Sequence, residues 1–262
     1  MEIEIVTLSR RGGRPYNEDV FGQWNDGRFV ACLVADGAGG HGGGDVAAAI
    51  ARSSVLGAFA AAPTLDASNL RQVLLRANQD IVSRQAEGGK LAAMRSTVVL
   101  AAIDLHAHEM AWAHSGDSRA YLFRAGALVA RTVDHSLVQQ LVAGGVLDEE
   151  GARLHPQRNM LLSALGAADG VLDITVSGRM PLAEGDALLL CSDGVWEPLG
   201  DDCLRKSLLA SRDPSQWVEK IDAEVRTRAK PGHDNYTALA MWLRPDEDEV
   251  TQRMPMEGVT PG

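Results

Sequence analysis

Residues 34–45 read VADGAGGHGGGD. In this stretch one carboxylate, that of Asp36, lies between a predicted strand and a glycine-rich segment that leads into a predicted helix. The apolar run over residues 29–35 ends at Asp36 and predicts a buried strand. Six glycines follow within residues 37–44, and an Ala-rich run over 46–62 then predicts a helix. Each glycine loses conformational entropy on folding, so a loop with this many glycines is costly. The packing of a core alone does not explain it. The stretch therefore indicates that the backbone closely approaches whatever Asp36 binds.

The composition is that of an ordinary globular protein, with 262 residues of which 45% are hydrophobic and 23% charged. A net charge of −10 provides no basic surface for nucleic acid, whereas carboxylates can hold cations. The N-terminus is unlike a signal peptide, and no run approaches the ~18 apolar residues of a membrane helix. We therefore expect a cytoplasmic protein that contacts neither nucleic acid nor membrane.

The three cysteines are Cys32, Cys191 and Cys203, and no CxxC pair is present. Cys32 and Cys191 lie in apolar runs that predict strands. An odd number of buried cysteines indicates reduced thiols rather than a disulfide scaffold. None lies in a loop that would cradle a phosphate, which argues against a covalent phosphocysteine.

Turn residues divide the chain into short strands and paired helices. A hairpin is predicted around Asn25-Asp26-Gly27, and the apolar spacing over 67–86 is helical. Further strands are predicted at 3–8, 97–103, 110–115, 119–124, 127–130, 172–176, 187–191 and 235–243. Further helices are predicted at about 136–142, 148–154, 201–210 and 214–228. Because strands come in hairpins and helices in pairs, we expect an α+β fold of two packed antiparallel sheets flanked by helix pairs.

One domain is predicted over residues 1–244. The less regular segment at about 137–170 is interpreted as a flap. From residue 245 to 262 the composition shifts to Asp, Glu, Met, Pro and Gly, which predicts a disordered acidic tail.

Five aspartates each lie at a predicted strand end or turn, beside a glycine or a small polar residue: Asp19, Asp36, Asp117, Asp193 and Asp234. Converging carboxylates raise one another's pKa unless cations neutralise them. Oxygen ligands without a cysteine or a histidine pair favour Mg²⁺ or Mn²⁺ over zinc. A pair of such ions suits the hydrolysis of phosphate esters.

Each of these motifs has an ordinary explanation when taken alone. An isolated Asp-Gly is usually a turn, and Asp134-His135-Ser136 can be a helix N-cap. Arg14 alone would be a surface charge. Their joint occurrence in this order argues against these separate explanations.

Taken together, the motifs resemble those of the bacterial metal-dependent Ser/Thr protein phosphatases, the protein phosphatase 2C (PPM) family. The resemblance covers about residues 3–243. It rests on residues 14–19 (RPYNED), 34–37 (VADG) with 39–41, 96–97 (ST), 116–119 (GDSR), 132–136 (TVDHS), 164–166 (ALG), 190–194 (LCSDG) and 234–235 (DN).

The resemblance implies a four-layer α-β-β-α sandwich with two Mn²⁺ or Mg²⁺ ions in a cleft between the sheets. Asp36 would bridge both ions. Asp193 and Asp234 would complete the ligands of one ion, and Asp19 and the Gly37 carbonyl would serve the other.

The resemblance also implies roles around these ions. Asp117 would join Asp193 in holding a weaker third ion, and Arg14 would bind the substrate phosphate through its guanidinium. Asn235 and Asp134 would orient the metal ligands.

His41 has two interpretations, as the general acid or as a residue that positions the glycine loop. Three positions depart from the family pattern: Ala38, Arg95 and Ser163 stand where other residues are common. None of the three removes a metal ligand, so we expect activity.

The resemblance implies a phosphoprotein phosphatase that hydrolyses phosphoserine and phosphothreonine by direct attack of a metal-bridging hydroxide. We expect a monomer that opposes a bacterial Ser/Thr kinase, in general signalling or beside a secretion machine. One alternative is a pseudophosphatase that binds phosphoproteins without turnover. Another is a nucleotide-binding protein, but the glycine loop has no Gly-Lys-Ser/Thr and does not open onto a helix as GxGxxG.

Overall fold

A computed structural model describes residues 1–38, 42–168 and 170–245. The strands are β1 (Glu2–Arg10), β2 (Asp19–Asn25), β3 (Phe29–Ala38), β4 (Arg95–Ser96), β5 (Val98–Asp104), β6 (Glu109–Ser115), β7 (Arg119–Arg124), β8 (Ala127–Arg131), β9 (Thr175–Val176), β10 (Met180–Pro181), β11 (Ala187–Cys191) and β12 (Tyr236–Arg244). The α-helices are α1 (Gly44–Ala61), α2 (Ala67–Gln85), α3 (Leu137–Ala143), α4 (Glu149–Leu154), α5 (Asp193–Leu209) and α6 (Pro214–Arg228).

Two antiparallel sheets form the centre of the fold. One has the strand order β1-β12-β11-β7-β8, and the other has the order β10-β6-β5-β3-β2, with β4 beside β3 and β9 beside β6. Helices α1 and α2 pack on the second sheet, and α5 and α6 pack on the first. The predicted sandwich of two antiparallel sheets between helix pairs is confirmed.

Alternation along the strands explains the layers. In β3, Ala31 and Leu33 face α1 and α2, whereas Val30, Cys32 and Val34 face the other sheet. Successive side chains of a strand point to opposite faces, so a strand buried on both faces must be apolar throughout. The continuous apolar runs in the sequence reflect this double burial.

Helix α1 begins where the glycine stretch ends, with Gly43 at its N-cap in a left-handed conformation. This helix corrects one expectation, because it is long and apolar enough in length and composition to cross a membrane. Its residues Ala47, Ala51, Val55 and Phe59 are nevertheless fully buried against strands and α2. A core helix of a globular protein can pass the same test of length and composition, and 33% of this helix is buried.

One helical segment was missed, and one strand was wrong in extent. Helix α5 consists of two helical segments separated by a non-helical kink at Gly200; the second corresponds to the helix predicted over 201–210, and the first, which begins at Asp193 and contains Pro198, was not predicted. Proline and glycine have the lowest helix propensities, so propensity alone did not predict these first turns. The strand predicted over 172–176 is reduced to Thr175 and Val176, which pair with β6.

The segment interpreted as a flap contains α3 and α4, as predicted. Ser136 and Asp148 cap these helices by accepting the backbone N–H of Gln139 and Gly151. Isolated bridges join Ser136 to Leu161 and Ser96 of β4 to Leu165, so the later part of the segment is attached to the sandwich at β4. Apart from Pro245, the predicted tail lies outside the described residues.

Candidate active site

Strands β2 and β3 bring two of the predicted carboxylates together. Asp19 and Asp36 are paired residues in the antiparallel register of these strands. Like charges directly opposite each other destabilise a sheet, so a structural role alone does not explain this pair.

The other predicted carboxylates come from the opposite sheet and from the connection between the sheets. Asp193 follows β11, and Asp234 comes shortly before β12, which is the neighbour of β11. Asp117 lies in the turn from β6 to β7, which belong to different sheets. In that turn Gly116 has a φ of 106° and packs so closely on Thr97 that a Cβ would clash.

A single cleft between the sheets contains most of these groups. Asp36, Asp117, Asp193 and Asp234 line it together with Gly37 and Arg14. Asp19 is buried beneath it and accepts a hydrogen bond from Ser192 at 2.7 Å. The tertiary structure therefore gathers all five predicted carboxylates at one edge of the sandwich.

The carboxylates perturb one another. Burial, and then the charges of Asp19 and Asp193, raise the pKa of Asp36 well above its usual value. Burial, and then Asp117 and Asp234, raise the pKa of Asp193 in the same direction. Burial is also the main cause that raises the pKa of Asp19 to about 6 and the pKa of Asp117 to about 7. Ionising this set in the protein alone is unfavourable, and a cation would reverse the effect.

Unpartnered oxygen atoms test whether the site fits a metal. Among the described residues, Glu18 Oε1, Asp19 Oδ1 and Asp193 Oδ1 are buried and have no hydrogen-bond partner. Buried carboxylate oxygens without donors are costly unless a cation binds them. In the part of the chain that the structure describes, no group of three or more His, Cys, Asp or Glu side chains is arranged closely enough to hold a metal ion as it stands. The donor set fits hard divalent cations in its chemistry, as carboxylates that line a common cleft.

Arg14 lies at the mouth of the cleft. Its Nη2 donates to Asp234 Oδ2 at 2.6 Å, and 51% of its side chain is exposed. The two residues are 220 positions apart in the chain. The guanidinium therefore stands within the carboxylate cleft, where it can bind an oxyanion.

Comparison with known proteins decides the family. The model of the family described as Protein phosphatase 2C matches residues 9–244. The chain belongs to this family. The serine/threonine phosphatase stp of Listeria monocytogenes is 32% identical over 247 residues, which cover 92% of this chain and 93% of the relative. The chain is a protein serine/threonine phosphatase whose substrates are phosphorylated on serine or threonine, and the pseudophosphatase alternative is not supported.

Two solved structures are similar to the phosphatase. The catalytic domain of the phosphatase PstP in complex with two manganese ions has a TM-score of 0.76 and 28% identity, covering 93% of this chain and 99% of that one. PppA, described as a key regulatory component of the type VI secretion system in Pseudomonas aeruginosa, has a TM-score of 0.74 and 28% identity, covering 92% and 98%. The PstP complex supports the predicted pair of Mn²⁺ ions for this family.

Thr97 holds Asp36 in place in the phosphatase. The Asp36 N–H donates to Thr97 Oγ1 at 3.0 Å, and the Thr97 N–H donates to the Asp36 carbonyl at 2.8 Å. Thr97 Oγ1 also lies 2.6 Å from Ser118 Oγ, beside Asp117. This chain of hydrogen bonds joins the predicted bridging ligand to the turn that carries Asp117.

Asn235 positions the loop that carries Arg14. Its side chain accepts the Glu18 N–H at 2.8 Å and donates to the carbonyls of Arg11 and Tyr16 at 2.7 and 2.9 Å. Its own N–H donates to Asp234 Oδ1 at 2.8 Å. These contacts connect Asn235 to both the Arg14 loop and Asp234, and the orienting role that the resemblance implies for it stays a prediction.

Asp134 reaches the cleft through two intermediates. It accepts two hydrogen bonds from Arg119, at 2.8 and 2.7 Å. The Arg119 guanidinium stacks on the Trp196 ring at 3.5 Å, and Trp196 Nε1 donates to the Asp117 carbonyl at 2.9 Å. Burial alone would lower the pKa of Arg119, but the Asp134 hydrogen bonds raise it. The predicted orienting role of Asp134 thus has a structural route to the backbone of Asp117.

Two further predictions concern side chains that are not in the described cleft. His41 lies outside the described residues, so its role stays a prediction. The three cysteines are free thiols, as expected. Burial raises the pKa of Cys32 to about 12 and raises that of Cys191 as well, so neither is a thiolate nucleophile.

Sequence reasoning missed Glu18 and Asn159, which also line the cleft. Burial, and then the charges of Asp45 and Asp234, raise the pKa of Glu18. Its place beside Asp19 in the chain was the one pattern that could have found it. Asn159 comes from the flap segment, and nothing in its sequence neighbourhood predicts that it reaches the cleft.

Proposed function

We propose that the phosphatase hydrolyses phosphoserine and phosphothreonine in this cleft, with its aspartates as the metal ligands. Asp36, Asp193 and Asp234 would hold one ion, and Asp36, Asp19 and the Gly37 carbonyl would hold the other. The observation that carries the proposal is the convergence of carboxylates from both sheets with unpartnered oxygens. Asp117 supports a third, weaker site because burial raises its pKa and it lies in the same cleft.

The metal ions and the residues that position their ligands would have separate roles in the reaction. When bound, a pair of Mn²⁺ or Mg²⁺ ions supplies a nucleophilic water at neutral pH and neutralises charge on phosphate oxygens. Thr97 keeps Asp36 oriented through two hydrogen bonds, which fixes the floor of the cleft. Oriented ligands of this kind reduce the reorganisation needed during reaction.

Arg14 would bind the phosphate. Its planar guanidinium already bonds a carboxylate, and phosphate oxygens suit the same geometry. Its partial exposure at the cleft mouth lets an entering substrate reach it. Asn235 maintains this position by bonding carbonyls on both sides of Arg14.

In the cell, we infer a cytoplasmic monomer that removes phosphate from the substrates of a bacterial Ser/Thr kinase. The similarity to PppA supports a secretion-linked setting, and the similarity to stp is compatible with general signalling. Phosphoproteomics of a deletion strain distinguishes the two settings, because secretion-linked action changes a narrow set of phosphosites.

The decisive experiment measures phosphate release from a phosphothreonine peptide with Mn²⁺ and with excess chelator. We expect turnover that requires Mn²⁺. Asp36→Asn should lower kcat by at least about 100-fold, the scale of losing one preorganised electrostatic contact. Calorimetry should show that the variant also binds Mn²⁺ more weakly, which is a readout independent of turnover.

Asp202→Asn is the matched control, because Asp202 is exposed on α5 and 83% of its side chain is accessible. It should bind Mn²⁺ and release phosphate as the unchanged protein does. Mn²⁺-loaded protein that binds the peptide tightly without turnover would contradict the proposal and support a binding role.

A further inference from the structure

A second, wider groove continues from the active-site cleft. Arg14, Asn159 and Asp234 line both cavities, so the groove and the cleft share a wall. Its other basic residues come from distant parts of the chain and are Arg153, Arg158, Arg228, Lys230 and His233. We call this surface the basic groove.

The charge of the basic groove is opposite to that of the protein. The whole chain has a net charge of −10, yet the groove is lined by five Arg or Lys residues and three acids. The three acids are Glu150, Glu197 and Asp234. A local reversal of charge beside an active site attracts ligands of the opposite sign.

Most of the groove's cations already have partners. Arg158 pairs with Glu197, Arg228 pairs with Glu224 at 2.9 Å, and Arg14 pairs with Asp234. Within the described part of the chain, Arg153 and Lys230 make no side-chain hydrogen bond or ion pair. Among the described side chains of the groove, two exposed cations are therefore left for a ligand, against one unpaired carboxylate, that of Glu150.

The positions of these two cations suit an extended peptide. Arg153 lies in the last turn of α4, and Lys230 follows the end of α6. Beside Arg153, Leu154 is 77% exposed and also lines the groove, as does Pro198. An exposed leucine next to an unpaired arginine provides both an apolar and a charged contact for a bound chain.

We propose that the basic groove binds the peptide segment that flanks the phosphorylated residue and selects acidic side chains there. Arg153 and Lys230 are the residues that make this selection. The inference rests on the proposed function, because the groove acts only on a substrate whose phosphate lies in the cleft. Contacts of this kind are exposed, so salt should weaken the preference.

The test compares phosphothreonine peptides in which glutamate, alanine or lysine is moved one position at a time along both sides. p-Nitrophenyl phosphate serves as a substrate without a peptide. We expect glutamate at the best position to raise kcat/KM about fivefold over alanine, the upper range of a single exposed ion pair. Lysine at that position should lower it, and high salt should abolish both effects.

The double variant Arg153→Glu and Lys230→Glu should reverse the order, so that the lysine peptide becomes the better substrate. Its loss on the glutamate peptide should exceed its change on p-nitrophenyl phosphate by about fivefold. The matched control is Lys206→Glu with Arg212→Glu, two exposed cations that do not line the groove. This control has the same net charge and should keep the preference for glutamate.

The outcomes separate the two proposals. Turnover of all substrates without any preference, or a preference that the control variant also reverses, would overturn the groove and leave the proposed function standing. Absence of Mn²⁺-dependent turnover on every substrate, including p-nitrophenyl phosphate, would overturn the proposed function itself.

Discussion

The space between the two sheets is apolar along most of its length and charged at one end. Val30, Cys32 and Val34 of β3 are fully buried against Leu188 and Leu190 of β11. Two residues beyond Val34, β3 reaches Asp36, and three residues beyond Leu190, the chain reaches Asp193 at the start of α5. The same strands therefore contribute both to the apolar layer and to the carboxylate cleft. In β3, Val34 and Asp36 are only two residues apart.

The difference shows how stability and function are divided. The apolar layer stabilises the fold because each side chain leaves water. The carboxylate cleft opposes folding in the absence of cations, since burial and like charge raise the pKa of Asp36 and Asp193. A site that is unfavourable by itself can nevertheless bind a cation strongly, and the apolar layer keeps it folded.

The largest effect should come from the apolar layer. Leu239 is fully buried between the sheets, so Leu239→Ala leaves a cavity. The free energy of unfolding in urea should fall by about 2–5 kcal/mol. Mn²⁺ affinity of the folded protein, measured by calorimetry, should stay the same.

Val129→Ala is the matched control, because Val129 lies on β8 and is 51% exposed. It should change stability by no more than about 0.5 kcal/mol. A large loss of Mn²⁺ affinity in folded Leu239→Ala would show that the two regions are not separable.

The next effect should come from the mouth of the cleft. Arg14→Ala removes the guanidinium beside Asp234, and kcat/KM on a phosphopeptide should fall about 100-fold, or about 2.7 kcal/mol. Mn²⁺ affinity should hold or increase, since Asp234 loses a competing cation. Arg76→Ala, at an exposed position on α2, should leave both values unchanged. A loss below about threefold would remove Arg14 from phosphate binding.

A smaller effect of opposite sign should follow from Asp36→Asn in excess chelator. Removing one charge from the cleft relieves repulsion, so the metal-free protein should become more stable by about 1 kcal/mol. Urea denaturation measures this change. Saturating Mn²⁺ should then stabilise the unchanged protein more than the variant. A variant that is less stable in chelator would show that the Asp36 carboxylate does not destabilise the metal-free protein.

The last prediction concerns the pH dependence of the metal-free protein, whose size varies with pH. Burial raises the folded-state pKa of Asp19 to about 6 and that of Asp117 to about 7, above the unfolded value of about 3.9. Between about pH 4 and pH 7 the folded state keeps protons that the unfolded state has released. The contribution of Asp19 and Asp117 to stability in chelator should therefore fall as pH rises through this window.

Thermal unfolding at a series of pH values checks this sign. Asp117→Asn should change the slope by removing one of the groups with a raised pKa, and saturating Mn²⁺ should flatten or invert the contribution of these carboxylates. A slope that is the same in Asp117→Asn as in the unchanged protein would contradict the assigned pKa direction of Asp117.

Much of the site was predictable because its residues occur at breaks in strong patterns. Asp36 ends an apolar run, and Asp193 and Asp234 adjoin two others, so each is conspicuous at a strand end. The short strands and the helix over 67–86 followed from periodicity in the same way. The start of α5 was not predictable, because Pro198 and Gly200 make its first turns resemble a loop.

The side-chain contacts within the site were harder to predict from the sequence. Glu18 adjoins Asp19 in the chain, yet only packing leaves its Oε1 buried without a donor. The path from Asp134 through Arg119 and Trp196 to the Asp117 backbone joins segments that have no shared pattern. Side-chain contacts of this type depend on which surfaces meet, and periodicity carries no information about that.

By itself the sequence determined the fold class, the family resemblance and the identity of the carboxylates, because local patterns of apolar, glycine and acidic residues encode strands, turns and their ends. The tertiary structure alone decided that Arg14 meets Asp234 and that Arg153 and Lys230 line one groove. The physical reason is that a strand or a turn forms from neighbours in the chain. A cleft forms only when two sheets pack, and packing joins residues more than 200 positions apart.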